Sequence, residues 1–233
     1  MNNLQEKNNK VYLSGEIIGD AEFSHEVYGE GFYEMNVLVK RLSGQGDVLP
    51  VTISERLIAD RKLKCGVTIN AIGQFRSYNK LVDGKSKLML TVFVRELLDA
   101  PCMKNPNCIA LSGYICKPPV YRTTPFNREI TDILVAVNRS YNKSDYIPCI
   151  AWGRNARFAK NLGVGEKIAL AGRIQSREYQ KRISEDDVRI LTAYEVSVSK
   201  ISAYENADNF DIDAEFESFN LKEDSDIRPA EYN

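Results

Sequence analysis

A short signature occurs twice in this 233-residue chain, and the repeat fixes how the chain is organised. Three landmark groups recur 98 positions later: Leu13-Ser14-Gly15 as Leu111-Ser112-Gly113, Val39 and Arg41 as Val137 and Arg139, and Pro50 as Pro148. Two glycines recur 99 positions later, Gly66 as Gly165 and Gly73 as Gly172. The shared register predicts two copies of one unit. We predict units at 1–100 and 107–204, a linker with two prolines at 101–106, and a separate tail at 205–233.

Each copy carries five strand-like runs, rich in β-branched and aromatic residues, with one helical segment between the third and the fourth. The runs of the first copy are 11–18, 33–41, 48–53, 67–76 and 87–98, with a helix at 55–64 that Ser54 would cap. Those of the second are 109–116, 131–139, 146–152, 167–177 and 188–201, with a helix at 154–162. This is the order of the OB-fold. We therefore predict an all-β chain of two tandem OB-fold five-stranded Greek-key barrels, each with a short helix between strands 3 and 4.

Charge is divided unevenly along the chain. Residues 107–202 carry fifteen basic and nine acidic side chains, whereas residues 203–233 carry two basic and ten acidic ones. A basic second unit indicates a polyanionic ligand. The last segment has the composition of a disordered acidic C-terminal tail. Its phenylalanines are candidates for binding a partner protein: Phe210, Phe216 and Phe219.

Several function classes find no support in the sequence. The N-terminus lacks the apolar core of a signal peptide, and no run is long enough to span a bilayer, so we expect an intracellular protein without a membrane partner. The five cysteines show neither Cys-x-x-Cys nor zinc spacing, which favours reduced thiols and no metal. No phosphate-binding loop, nucleophile elbow or metalloprotease helix occurs, and the one histidine, His25, lies in a loop pattern. We expect neither catalysis nor a cofactor.

Three motifs of the second unit resemble the bacterial single-stranded DNA-binding proteins. Residues 133–139 (ILVAVNR) look like the family's second strand, 145–153 (DYIPCIAWG) like its third strand and helix entry, and 172–179 (GRIQSREY) like its fourth strand. The resemblance implies single-stranded DNA (ssDNA) binding of low sequence preference, a cytoplasmic, nucleoid-associated protein acting in replication, recombination or repair, and a tail that recruits other replication or repair proteins. Family members commonly present four OB-folds, so two per chain imply a homodimer. Their acidic-Pro-Phe terminus is absent here, where residues 224–233 read DSDIRPAEYN.

Gripping a single strand without recognising its bases requires flat rings for stacking and cations for phosphates. The resemblance places four rings of the second unit at the family's base-stacking positions: Tyr141, Tyr146, Trp152 and Tyr179. Basic residues lie among them, namely Arg139, Lys143, Arg154, Arg173, Arg177, Lys181 and Arg182. We predict that this set binds ssDNA, although OB barrels also bury tyrosine and tryptophan.

The first unit keeps the landmarks of the repeat but not the full motifs. Trp152 aligns with Ser54, and only Tyr78, near Arg76, keeps a role in binding. We therefore expect this unit to serve as a scaffold and an oligomer interface. Two alternatives remain open: an OB-fold scaffold for other proteins, of the primosome-accessory kind, and a protein that binds RNA.

Overall fold

The fold is described from a computed structural model that covers residues 8–41, 43–59, 61–82, 84–182, 188–203 and 211–221. In the first unit the elements are β1 (Asn9–Ile17), β2 (Glu22–Val27), β3 (Glu30–Lys40), β4 (Gly46–Ser54), α1 (Glu55–Ile58), β5 (Thr68–Val82) and β6 (Lys85–Leu98). In the second they are β7 (Asn107–Ile115), β8 (Val120–Thr123), β9 (Glu129–Arg139), a 3-10 turn (Ser140–Asn142), β10 (Lys143–Trp152), α2 (Gly153–Ala159), β11 (Lys167–Arg182) and β12 (Val188–Ala203). A helix, α3, follows at Ile212–Leu221.

Each unit closes into a five-stranded barrel, which confirms the predicted all-β fold. In the first barrel the hydrogen-bonded ring runs β3-β4-β6-β5-β1 and returns to β3, with a parallel pairing between β4 and β6. The second barrel repeats this order as β9-β10-β12-β11-β7, with β10 and β12 parallel. The long strands β5 and β11 coil sharply at Gly73 and Gly172. A Cβ atom there would lie 2.3 Å from the Phe93 carbonyl oxygen and 2.1 Å from that of Ser197, so only glycine fits.

The sequence analysis missed one short strand in each barrel. β2 and β8 pair with the first halves of β3 and β9 as edge strands. All their residues are exposed, so neither strand shows the alternation of buried and exposed positions that betrays a half-buried strand.

The helix predicted at 55–64 was too long. Ser54 caps α1 as expected, since its Oγ accepts a hydrogen bond from the Arg56 amide, but α1 ends at Ile58. The turns that follow still bring Leu63 against the core, together with Leu57 and Ile58. Their spacing is close to that of one helix face, which is why the sequence predicts a helix that extends to residue 64.

The two barrels are joined into one twelve-stranded sheet. β1 pairs antiparallel with β7, with Val11 opposite Ile109. Two asparagines reinforce the joint in the same way on either side. The Asn9 side chain donates to the Phe75 carbonyl oxygen (2.7 Å) and accepts from the Phe75 amide (2.9 Å), and Asn107 makes the matching pair with Ile174 (2.7 and 2.9 Å). The barrels are therefore related by an approximate two-fold axis through this strand pair.

The sequence analysis predicted a disordered tail, but residues 212–221 of it form helix α3. Ile212 and Phe216, one turn apart, are buried against Tyr12, Cys108 and Ala110 of the β1–β7 joint. Lys10 Nζ lies 2.6 Å from Asp213 Oδ1 and 4.8 Å from the centre of the Phe216 ring. The rest of the predicted tail, with Phe210 and the Phe219 side chain, lies outside the described residues.

Replacing Phe216 with Ala should loosen α3 without unfolding the barrels. Burial of a phenylalanine contributes about 2 kcal/mol, so we expect amide exchange of residues 211–221 to accelerate roughly thirtyfold. Hydrogen-exchange mass spectrometry measures this directly. Glu217→Gln is the matched control, since Glu217 is exposed on the same helix and should leave protection unchanged. Equal protection in Phe216→Ala and the control would contradict the packing described.

Candidate nucleic-acid interface

One continuous outer sheet face runs across the second barrel. Along β10, Ile147, Cys149 and Ala151 point into the core, so Tyr146, Pro148, Ile150 and Trp152 lie on the other side of the strand, where Ile150 is itself buried. Strand pairing brings outward residues of the neighbours beside them. Trp152 lies opposite Ile130 of β9, and Ile150 lies beside Ser197 of β12. We call this surface, from β8 through β9, β10 and β12 to β11, the outer face of the second barrel.

Three of the four predicted rings belong to this face. Tyr146 is 45% exposed, Tyr179 is 37% exposed and Trp152 is half-buried, so none is sealed in the interior. Tyr179 reaches the face because Ile174 points into the core and every second residue after Arg173 points outward. The arrangement offers flat side chains on β10 and on β11 with β12 between them.

Tyr141 occupies a different place, at the tip of the β9–β10 hairpin. It is 93% exposed and has φ +60°, and Asn142 beside it has φ +54°. Left-handed backbone is uncommon for a bulky residue, and such strain is concentrated at functional positions. The hairpin therefore presents an almost fully solvated ring at its tip.

A buried glutamate organises the cations on β11. Glu195 of β12 is 7% exposed and accepts a hydrogen bond from Gln175 Nε2 (2.8 Å), while the Arg177 Nε atom lies 3.5 Å from its carboxylate. The Arg177 guanidinium then lies 5.9 Å from the centre of the Tyr179 ring. Arg177 and Tyr179 are thus held as a neighbouring cation and ring.

Arg122 is a cation of this face that sequence reasoning missed. It lies on β8 and bonds both carboxylate oxygens of Asp132 on β9, with its Nε atom at 2.8 Å. Hydrogen bonding to Asp132 raises the pKa of Arg122 above its ordinary value. Residues 120–123 carry only a short run with Val, Tyr and Thr as a strand signal, which is too short to stand out.

The other predicted cations divide into two groups. Arg139 and Arg173 lie against the buried carboxylates of Asp145 and Asp47, at 3.5 and 3.3 Å, where the barrels meet. Lys143, Arg154 and Arg182 are exposed, on the β9–β10 hairpin, on α2 and on the β11–β12 hairpin respectively. The Lys181 side chain lies outside the described residues.

The outer face of the first barrel is built differently. Two rings that the sequence alignment missed lie there, but side chains of the chain already cover them. Phe32 stacks on His25 with centroids 5.1 Å apart, and the Arg76 guanidinium lies 4.0 Å from the Phe93 centroid. The Tyr78 hydroxyl donates to Glu34 (3.2 Å), and burial, with the charge of Glu34, raises the pKa of Tyr78 to about 12.

Charge also distinguishes the two faces. Residues 18–35, which include the β2–β3 hairpin, carry five acidic side chains and no lysine or arginine. The matching segment 116–133 carries three basic and two acidic side chains. An acidic hairpin at its edge makes the first face unfavourable for phosphate groups.

Other kinds of site find little support. Among the described residues no group of three or more His, Cys, Asp or Glu side chains is arranged to hold a metal ion. Burial raises the pKa of the Cys108 thiol to about 12, which makes it unreactive. No helix in the described part of the chain has the length and apolarity to cross a bilayer.

Comparison with known proteins agrees with the geometry of the second barrel. Residues 106–203 match the model of the Single-strand binding protein family. The chain is similar to the single-stranded DNA-binding protein of Clostridium tetani (32% identity over 83 residues, covering 33% of this chain and 57% of the relative). It is also similar to single-stranded DNA-binding protein 1 of Staphylococcus aureus (34% over 83 residues, 33% and 50%). The chain therefore spans about half the length of the curated relatives it matches.

The fold of both barrels together also has a solved counterpart. The chain is similar to the wild-type single-stranded DNA binding protein from Thermus aquaticus, with a TM-score of 0.67 at 18% identity. The similarity covers 86% of this chain and 95% of that one. At this identity the likeness concerns the fold, and it extends over two barrels where the sequence matches extend over one.

Proposed function

We propose that the chain binds single-stranded DNA through its second barrel without catalysing a reaction, and the match of residues 106–203 to the single-strand binding protein family model supports this. Such binding would coat exposed strands and protect them during replication, recombination or repair. A cytoplasmic, nucleoid-associated location would follow from that role.

The observation that carries the proposal is the outer face of the second barrel. Trp152, Tyr146 and Tyr179 lie on one sheet surface with Arg177 and Arg122 among them. Rings stack on any base because every base has a π-face, and cations along the same surface neutralise phosphates. This combination fits a strand of arbitrary sequence better than it fits a folded protein partner.

The first barrel is proposed to contribute mainly as a scaffold. Its rings Phe32 and Phe93 are covered by His25 and Arg76, and its edge hairpin is acidic. Its strand β1 carries the joint to the second barrel. The homodimer with four barrels remains a proposal, which light scattering at micromolar concentration tests.

Recruitment of replication or repair proteins by the tail is also a proposal. Phe216 lies on the buried side of α3 and is 4% exposed, so it would contact a partner only after the helix leaves the barrels. Pull-downs with the full chain and with a chain ending at residue 204 test it. Identical sets of captured proteins would speak against recruitment.

The central experiment is an ssDNA titration of Trp152→Ala and Tyr179→Ala. Each substitution removes a stacking surface worth about 1–3 kcal/mol, so each should weaken binding to poly(dT) by roughly tenfold or more. Fluorescence quenching measures the affinity at several salt concentrations, and binding should weaken as salt rises because counterions are released. Wild-type affinity in both variants, or binding indifferent to salt, would sink the proposal.

A further inference from the structure

The barrels also meet at two matching junctions away from the β1–β7 joint. At each junction the β-hairpin of one barrel presents a buried aspartate to a long strand of the other. Asp47, beside the β3–β4 turn, accepts a hydrogen bond from the Ser176 amide of β11 (2.9 Å), and Asp145, beside the β9–β10 turn, accepts one from the Ser77 amide of β5 (2.7 Å). The approximate two-fold axis relates these contacts, so any difference between them is informative.

The Asp47 junction is saturated. Arg41 donates to both carboxylate oxygens at 2.6 Å, and Arg173 Nη1 lies 3.3 Å from Oδ2. Together with the Ser176 amide, these donors satisfy a carboxylate that is fully buried. This junction has no need of a further ligand.

The Asp145 junction is not saturated, although Asp145 is only 1% exposed. Arg139 lies 3.5 Å from Asp145 without forming a hydrogen bond, and both atoms concerned, Arg139 Nε and Asp145 Oδ2, are buried without a hydrogen-bond partner. Burial raises the pKa of Asp145 despite Arg139 and Arg76 nearby. The carboxylate therefore leaves hydrogen-bonding capacity unused on itself and on Arg139, unlike Asp47 at the other junction.

Positive charge also accumulates here. Arg76 donates to Gln74 (2.7 Å) and packs on Phe93, and no ion pair to a carboxylate is seen for it within the described residues. Burial, together with repulsion from Arg139 and to a smaller extent from Arg95, lowers the pKa of Arg76 to about 10 against the attraction of Asp145. Guanidinium groups from both barrels thus share one aspartate whose carboxylate is only partly hydrogen-bonded.

We propose that this junction, formed by Arg139 and Tyr141 of the second barrel and Arg76 of the first, holds a backbone phosphate of the bound strand where it crosses between the barrels. The inference rests on the proposed ssDNA binding and extends it to the path of the strand. A phosphate supplies a further anion at this junction, and two of its oxygens can accept hydrogen bonds from one guanidinium group. Tyr141, exposed at the same hairpin tip, offers a ring to an adjoining base.

The crossing is thereby assigned to one junction of the two. At the Asp47 junction the guanidinium groups of Arg41 and Arg173 are already bound by a carboxylate with every oxygen used. A phosphate there would have to displace Asp47 from a fully buried position. The strand accordingly passes onto β5 of the first barrel beside Arg76 and does not cross by the opposite hairpin.

The test compares Arg76→Gln with wild type on two dT oligomers. One oligomer of about 10 nucleotides fits the site of a single OB-fold, and one of about 35 nucleotides can reach both barrels. We expect Arg76→Gln to weaken binding of the long oligomer about tenfold more than that of the short one, the loss of one charged hydrogen-bonded contact. The salt slope for the long oligomer should become less negative by about 0.7, the value for one phosphate on a single strand.

Two further variants make the result decisive. Lys62→Gln removes the same charge from an exposed position on the first barrel, so it reports the general loss of positive charge. Arg76→Lys keeps the positive charge but lacks the planar guanidinium group. Relative to Arg76→Gln, it should restore the salt slope for the long oligomer more fully than the affinity. Thermal unfolding checks that each variant is folded.

The outcomes distinguish failure of the crossing from failure of ssDNA binding. If Arg76→Gln affects both oligomers alike, or does no more than Lys62→Gln, the junction is not a crossing point, while ssDNA binding stands. If wild type binds neither oligomer, the proposed function fails and the crossing fails with it.

Discussion

Replacing Asp47 with Asn is expected to lower the free energy of unfolding by about 3 kcal/mol, the lower end of the range for breaking a buried ion pair. The substitution keeps the volume and one acceptor for the Ser176 amide, but it leaves two guanidinium groups, Arg41 and Arg173, without their carboxylate. Both arginine side chains are partly exposed, at 21% and 32%, so water recovers some of the loss. Thermal unfolding should show a midpoint lower by about 6–12 °C.

Asp145→Asn is the matched control, because it changes the corresponding residue at the other junction. Since burial raises the folded-state pKa of Asp145, the folded protein holds this proton to higher pH than the unfolded chain. The contribution of Asp145 to stability therefore falls as pH rises from the ordinary value toward the folded one, and it stays low at neutral pH. Asparagine removes that penalty, so Asp145→Asn should cost much less than Asp47→Asn at neutral pH. A larger loss for Asp145→Asn would contradict the contrast drawn between the junctions.

The repeat made the fold predictable. Leu13-Ser14-Gly15 and its copy mark β1 and β7, and the landmarks that recur 98 or 99 positions later predict two barrels with the same order of strands. Composition, in runs rich in β-branched and aromatic residues, located the five barrel strands of each unit. It could not locate β2 and β8, which bury no residue.

The site was predictable where it depends on local alternation. Tyr146 lies on β10 between the buried Asp145 and Ile147, whereas Trp152 and Tyr179, whose neighbours do not alternate in burial, were placed by the family resemblance. The carboxylate partner of Arg173 could not be predicted from the sequence. Arg173 meets Asp47 from 126 positions away, across a joint that no local pattern describes.

The tail carried a signal that composition concealed. Ile212 and Phe216 are four residues apart, the spacing of one helix face, and Asp211 caps the helix by accepting from the Asp213 amide (2.9 Å). Ten acidic residues in 31 favoured disorder and outweighed these two apolar ones. Only the structure shows that Ile212 and Phe216 pack on Tyr12 and Cys108.

The double variant Trp152→Ala/Tyr179→Ala should show the largest loss of ssDNA affinity, about 2–6 kcal/mol relative to wild type. Trp152 lies on β10 and Tyr179 on β11, with β12 between them, so the rings do not share a contact and their losses should add. Additivity requires that one strand stacks on both rings at once. The measurement is a titration with a dT oligomer at two salt concentrations, beside both single variants.

Tyr28→Ala is the matched control for loss of an aromatic ring. Tyr28 lies at the tip of the β2–β3 hairpin, fully exposed and with φ +51°, in a backbone setting like that of Tyr141 but on the acidic edge of the first barrel. Its removal should leave affinity unchanged if the second barrel carries the binding. A double variant no weaker than the worse single variant would mean that the two rings serve alternative paths, because a strand that touches only one of them gains nothing from the other.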